Sequence, residues 1–376
     1  MAATLGDRLD FRTGDVPPSR SALGLYPVYG ANGIIGRTFA HNAHGPLIVV
    51  GRVGSFCGSV HYCEGDVWVT DNALICRAHN ADETRYWYYA MRNCGLNRFR
   101  AGSGQPLLNL NILRSIPVEV ADASQRRQIG DLLGALDDKM AANDRVIAAA
   151  EGLMTTFVDR ITERTRLSHL AERSAECVQP QELRGTVAHY SFPAFDHDGQ
   201  PALVDVNTIK SPKFLLTEPC VLFSKLNPRI RRIWNVSRLP IETALASSEF
   251  IVLRPTGVDP SVLWAALRQP DVSETLKKMV AGATGSRQRI RPSQLLDVTL
   301  PDVRCLDAHS ALTIADLGAM CERRRAESAK LAAMRDKLAP LLMSGEIRIH
   351  SPGSSGRIPK GGMHIGTRYE LAAVTV

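Results

Sequence analysis

A plan repeated twice along the chain constrains its fold more than any other feature. Each half carries a mixed region of short strands followed by one long helix, so the same module must be accommodated twice. In the first half, residues 46–53 (PLIVVGRV) read as a buried strand entering a Gly-rich turn, and residues 66–76 (DVWVTDNALIC) as another strand. Residues 82–92 (DETRYWYYAMR) read as a short helix, followed by a Gly/Gln/Asn loop at 102–111 (GSGQPLLNLN) and an apolar strand ending at Ile116-Pro117. The second half keeps this order. Residues 219–226 (PCVLFSKL) match the first strand and turn, 247–254 (SSEFIVLR) match 70–77, and Trp264 falls where Trp87 fell. Residues 282–291 (GATGSRQRIR) take the place of the polar loop, and Leu300-Pro301 that of Ile116-Pro117.

The helices repeat in register. Apolar or small residues recur at alternating spacings of four and three through Ile129, Leu133, Leu136, Met140, Asn143, Ile147, Ala150, Met154, Phe157 and Ile161. That is a coiled-coil seam. A second seam runs through Leu317, Met320, Arg324, Glu327, Leu331, Met334, Leu338 and Leu341. Adding 184 to Leu133, Leu136, Ile147, Ala150, Met154 or Phe157 lands on the second seam each time. Both seams turn polar at mid-length, at Asn143 and at Arg324 with Glu327, a device that fixes register and orientation at some cost in stability. A bend or opening of the second helix at Arg324 and Glu327 is the alternative. Residues 129–161 as one helix span roughly 50 Å at 1.5 Å per residue.

The expected fold is therefore α+β, with two mixed α/β domains separated by two long antiparallel coiled-coil helices and a pseudo-twofold internal repeat. The expected boundaries are 1–121 for the first domain, 122–167 for the first helix, 168–303 for the second domain and 304–345 for the second helix. A Gly/Ser/Pro-rich tail, expected to be mobile, occupies 346–376.

Composition narrows the class. With 376 residues and 44% apolar side chains, the chain can bury a sizeable core. A net charge of +7 suits a polyanionic partner without requiring one. Every lysine-or-arginine position before Lys139 is arginine, the side chain that makes planar two-pronged contacts to phosphate and guanine, although a GC-rich coding sequence would give the same bias. None of the eight cysteines forms a C-x-x-C pair, so zinc-ribbon and thioredoxin motifs are absent. Nothing reads as a signal peptide or a membrane span, and a cytoplasmic protein with reduced thiols is expected.

No catalytic motif in the sequence is complete. The catalytic loop of an adenine methyltransferase needs Asn-Pro-Pro followed by an aromatic residue, whereas Asn227-Pro228 continues into Arg229-Ile230. Residues 30–38 (GANGIIGRT) have P-loop-like glycines but no lysine for the phosphates. Asp137 and Asp138 are neighbours on a helix and so point in different directions, which prevents joint chelation of a catalytic metal. The chain is expected to have no catalytic site, metal or cofactor of its own.

The sequence resembles the specificity subunits of type I restriction–modification systems. The matching stretches are 26–36 (YPVYGANGIIG), 51–60 (GRVGSFCGSV), 68–74 (WVTDNAL), 102–117 (GSGQPLLNLNILRSIP) and 125–143 (QRRQIGDLLGALDDKMAAN). In the second half they are 224–231 (SKLNPRIR), 247–255 (SSEFIVLRP) and 341–349 (LLMSGEIRI). The resemblance covers residues 5–349; it departs in lacking an aromatic lead-in before the first domain and in carrying His309 where the first half has Gln125. It implies that each mixed domain is a target-recognition domain reading one half of a bipartite double-stranded DNA site. It further implies that the helices space the half-sites and carry two modification subunits, which bind S-adenosylmethionine and methylate adenine, and that motor-nuclease restriction subunits join for cleavage.

Residues with the chemistry for DNA contact cluster in loops. In the second domain Lys225, Asn227, Arg229, Arg231 and Arg232 surround an Asn-Pro turn, and Thr284, Ser286, Arg287, Gln288, Arg289 and Arg291 form a polar, basic loop. The first domain offers Tyr29, Asn32, Arg52, Ser55, Arg98, Arg100, Ser103, Gln105 and Asn109. The competing reading is a coiled-coil assembly scaffold whose mixed domains bind protein and have no DNA specificity, with each basic residue a solvated surface group.

Overall fold

Short apolar runs broken by Gly, Pro and Asn fold into two sets of sheets, and the long heptad stretches fold into helices. The computed structural model describes residues 3–101, 106–226, 230–280 and 289–349. Two compact units divide the chain: residues up to Asp138 together with those from Ala332 onward, and Lys139–Leu331.

The first unit contains β1 (Leu9–Thr13), β2 (Tyr26–Gly30), β3 (Gly33–Thr38), β4 (Leu47–Gly51), β5 (Val60–Cys63), β6 (Trp68–Val69), β7 (Ala73–Ala78), α1 (Thr84–Asn93) and α2 (Leu110–Ser115). The helix α3 (Ala123–Asp159) begins in this unit. One sheet has the order β1-β7-β4-β5 and a second β3-β2-β6. Strand β4 is buried along its whole length, as its unbroken apolar run requires. Trp87 and Met91 of α1 pack with Ile48, Val50, Leu74 and Cys76 of the larger sheet and with Ile129 and Leu133 of α3.

The second unit contains β8 (Arg164–Arg166), β9 (Ala171–Ser174), β10 (Cys177–Val178), β11 (Thr186–Tyr190), α4 (Phe192–His197), β12 (Ala202–Asp205), β13 (Lys213–Leu216), β14 (Cys220–Ser224), β15 (Ile233–Val236), β16 (Thr243–Ala246) and β17 (Phe250–Pro255). There follow α5 (Pro260–Leu267), α6 (Pro270–Val280), α7 (Pro292–Leu296), β18 (Thr299–Pro301) and α8 (Ala308–Met343), whose last turns belong to the first unit. Its sheets have the orders β15-β14-β17-β9, β10-β13-β16-β11-β12 and β18-β8.

The two units share a hydrogen-bond plan. The order β1-β7-β4-β5 is matched by β9-β17-β14-β15, all antiparallel. In the smaller sheet, β2 pairs antiparallel with β3 and parallel with β6, as β11 pairs with β12 and β16. Thr70 N donates to Tyr29 O and Ser247 N to Tyr190 O, each at 2.9 Å. Val118 N donates to Ala3 O at 2.8 Å and Asp302 N to Glu163 O at 2.9 Å.

The long helices pack on one another in opposite directions. In the first unit Asp137 pairs with Arg335 at 2.6 Å and the Gln125 amide donates to Ile349 O at 2.7 Å. In the second unit Asn143 Nδ2 donates to Glu327 Oε2 at 3.0 Å and Ser328 Oγ at 3.1 Å, and Ile147 and Ala150 pack on Cys321. On α3 the expected line is kept, with Ile129, Leu133, Asn143, Ile147, Ala150 and Met154 buried and Leu136, Met140, Phe157 and Ile161 half-buried.

On α8 the expected seam is displaced by one residue. The buried positions are Ile314, Gly318, Cys321 and Leu342; Leu317, Met320, Arg324, Glu327, Leu331, Leu338 and Leu341 are half-buried, and Met334 is 51% exposed. Close approach selects small or paired polar side chains there, which a search for apolar periodicity passes over. Gly318 has the α5 residue Ser261 against it, so a Cβ at 318 would collide with the Ser261 side chain. Gly134, 184 positions earlier, stands in the same relation to the Arg85 side chain on α1.

Two local expectations also change. Residues 110–115, expected as the end of the polar loop and then a strand running to Ile116-Pro117, form α2 because Asn109 caps them: its Oδ1 accepts from Ile112 N at 2.8 Å. The run 66–76 is broken into β6 and β7 by the turn at Thr70–Asn72.

Candidate nucleic-acid interface

In the first unit, the turn between β4 and β5 lies beside the segment that leads into α2. Leu108 N donates to Arg52 O at 2.9 Å, Gly54 N to Pro106 O at 3.0 Å, and Val53 and Leu107 form a bridge. Leu107 also bridges to Ala101, and Ser59 Oγ donates to Ala31 O at 2.6 Å beside the β2–β3 turn. These contacts gather Asn32, Arg52, Ser55, Arg98 and Arg100 onto connected loops. The exposed side chains among them are Asn32, Ser55, Arg98 and Arg100.

The second unit repeats the junction. Ile290 N donates to Lys225 O at 2.9 Å, and Leu226 bridges to Arg289. Arg52 and Lys225, Val53 and Leu226, Leu107 and Arg289, and Leu108 and Ile290 thus occupy matching places. Buried Leu108 and Ile290 anchor the segments, and α2 and α7 follow directly. The described ends of these polar loops are thereby tied to the sheets.

Several basic groups are engaged within the protein. Arg232 makes a two-pronged pair with Asp196 at 2.7 and 2.6 Å and lies over the Phe192 ring at 5.1 Å; the Asp196 hydrogen bond raises the arginine's pKa and lowers that of the aspartate. Arg289 pairs with Glu249 at 3.0 Å. Arg98 donates to Cys94 O at 2.6 and 3.0 Å. The Lys225 ammonium donates to Ser248 O and lies 5.3 Å from the Phe214 ring centre; burial, then the charge of Arg173, lowers its pKa. Among the described residues, the Arg52 and Arg231 side chains make long hydrogen bonds, 3.4 Å to Asp71 O and 3.5 Å to Arg268 O. Arg100 and Arg291 are exposed.

Tyr29 is corrected by the structure. It is 9% exposed and packs with Leu47, Val49, Cys63 and Val69, so its ring is a core element, as Tyr190 is in the second unit. Burial pushes its phenol pKa well up. Asn109 spends its side-chain oxygen on capping α2. Ser103, Gln105, Asn227, Arg229, Thr284, Ser286, Arg287 and Gln288 lie outside the described residues. Two residues that the sequence reading did not single out lie beside these groups: Phe56, 52% exposed in the β4–β5 turn next to Ser55, and Arg173, whose charge reaches Lys225 from β9. An exposed aromatic in a Gly-flanked turn was the available signal for Phe56; Arg173 had none, because pairing distant in sequence puts it there.

Asp137 and Asp138 part as expected. Asp137 accepts from Tyr89 and pairs with Arg335, whereas Asp138 pairs with Arg85 at 2.8 Å. No helix among the described residues is long and apolar enough to cross a membrane.

The fold defines a chain of two mixed sheet-and-helix modules, each continued by a long helix, with a pinned polar turn in each module. It is the fold of the type I restriction–modification S subunit of M. genitalium: the two superpose with a TM-score of 0.60 at 13% identity, over 91% of this chain and 96% of that one. In sequence, the chain is similar to the specificity subunit of the type I restriction enzyme EcoprrI of Escherichia coli, with 24% identity over 140 residues, 36% of this chain. The match spans about a third, 35%, of that relative's length. No family model matches the chain. The resemblance read from the sequence motifs and these comparisons point to the same family of specificity subunits.

Proposed function

We propose that this chain is the non-catalytic DNA-recognition subunit of a type I restriction–modification complex. Each mixed module reads one half of a bipartite double-stranded target through its pinned turn and the loop preceding α2 or α7. The modules are related by an internal pseudo-twofold repeat, and the long antiparallel helices carry two modification subunits that methylate adenine with S-adenosylmethionine. Restriction subunits join the same complex. The observation that carries this reading is the duplicated junction, in which Leu108 N to Arg52 O and Ile290 N to Lys225 O tie the described ends of two matching polar loops to their sheets.

The test is DNA binding by the chain co-purified with its modification subunits, followed by methylation mapping. Affinity is expected to fall steeply with salt through counterion release. Arg100→Ala is expected to weaken or relax recognition of one half-site and Arg291→Ala that of the other, by about 1–3 kcal/mol where a bidentate base contact is lost. Salt-insensitive association, or both variants relaxing the same half-site, would refute the reading.

A further inference from the structure

Away from these loops, the β4–β5 hairpin carries a second group of chemically matched side chains. Its turn, residues 52–59, belongs to the candidate interface; its open end lies at Leu47 and Cys63, which face each other across the ladder. Just beyond that end sit His41, His44 and Asp66. Their potential ligand atoms all lie within 4.8 Å of one another. His44 Nδ1 is 2.9 Å from Asp66 Oδ1, and the His41 and His44 rings are 4.6 Å apart, centre to centre.

The backbone beneath them is fixed. Ala43 and Val67 exchange both main-chain hydrogen bonds, at 3.1 and 3.0 Å, so His44 and Asp66 flank one bridge on adjacent segments. Asn42 locks the same segment: its Nδ2 donates to Val69 O and Asp15 Oδ2, and its Oδ1 accepts from Val69 N, each at 2.8 Å. Tyr26 meets the His41 ring edge-on at 4.8 Å. Two imidazoles and a carboxylate thus stand together on a braced backbone.

We propose that His41, His44 and Asp66 form a divalent transition-metal site suited to Zn2+, with water completing the coordination. Two nitrogen donors and one carboxylate oxygen are a ligand set zinc accepts. Metal–ligand bonds of about 2 Å place tetrahedral donors roughly 3–3.5 Å apart; His44 Nδ1 and Asp66 Oδ1 already stand 2.9 Å apart, and small side-chain rotations would bring the three ligand atoms, now within 4.8 Å of one another, to that spacing. The metal would clip the segment before β4 to the segment after β5. Its role is structural, and because it lies at the opposite end of the hairpin from the reading turn, it is independent of the proposed DNA recognition.

The experiment is calorimetric titration of the full chain with ZnCl2 under a non-chelating reductant, with Co2+ absorption as a second readout. The expected result is one Zn2+ bound per chain and a Co2+ spectrum without thiolate charge-transfer bands. His41→Ala, His44→Ala and Asp66→Asn should each weaken binding at least 10-fold and leave DNA affinity unchanged. His44→Gln, which can still hydrogen-bond Asp66, guards against loss of folding and should also lose the metal. Undiminished binding in the His44 variants, thiolate bands, or no saturable binding by the parent chain would overturn the site.

Discussion

Glycine at position 318 offers a test with two opposite outcomes from one kind of substitution. In an exposed helix interior, Gly→Ala stabilises by about 0.5–1 kcal/mol, because alanine restricts the unfolded chain and favours the helix. Gly152 of α3 is such a site: nothing lies within 4 Å of a Cβ built there. Gly318 of α8 is buried, and the same methyl would overlap the Ser261 side chain and come within 2.9 Å of Asn235 Nδ2. Ser261 is 0% exposed, and its hydroxyl accepts from Asn235 at 3.0 Å. The methyl must therefore push α8 from α5 or break that buried hydrogen bond. Overpacking costs about 1–3 kcal/mol and an orphaned buried donor about 1–3 kcal/mol more. After the helical gain is subtracted, Gly318→Ala should destabilise the second unit by about 1–5 kcal/mol. Urea unfolding read by tryptophan fluorescence, together with hydrogen exchange on α5 and α8, measures this directly. Ser261→Gly should recover part of the loss in the double variant. A Gly318→Ala protein as stable as Gly152→Ala would refute the close-approach argument.

Three further outcomes follow from particular contacts. Glu83, 4% exposed, takes a two-pronged bond from Arg126 at 2.6 and 2.9 Å, and Glu83→Gln should cost about 3–5 kcal/mol because it leaves a buried cation without its counter-charge. Burial pushes the Glu83 pKa up, but the hydrogen bond and charge of Arg126 outweigh it and the net shift is downward. Its contribution is thus complete above the ordinary glutamate range and lost as pH falls through the lowered value, so the gap between parent and variant in urea titrations should close in acid. Asn143→Asp sets a carboxylate against Glu327 and should cost about 1.5–3 kcal/mol, more than Asn143→Leu, when thermal unfolding of the two is compared. Tyr29→Phe should leave DNA affinity unchanged, whereas Tyr29→Ala should cost about 3–5 kcal/mol of stability in chemical denaturation.

Much of this was legible in the sequence because it rests on local chemistry. Strand β4 follows from an unbroken apolar run, α3 from a heptad repeat, and the matching places of Trp87 on α1 and Trp264 on α5 from the order of the elements around them. The division of Asp137 and Asp138 between different partners follows from helical geometry alone. Other features depend on which segments meet. Tyr29 looks like a surface ring until β6 pairs beside it and closes the core over it. The line buried on α8 passes through Gly318 and Cys321, whose small size matters only because α5 and α3 press against them. Arg232 and Arg289 carry the charge of DNA ligands, yet folding supplies Asp196 and Glu249 as their partners. Periodicity and residue type determine which elements form and which face they bury. Only tertiary structure decides which side chains remain at the surface, because exposure and charge compensation are set by neighbours brought from elsewhere in the chain.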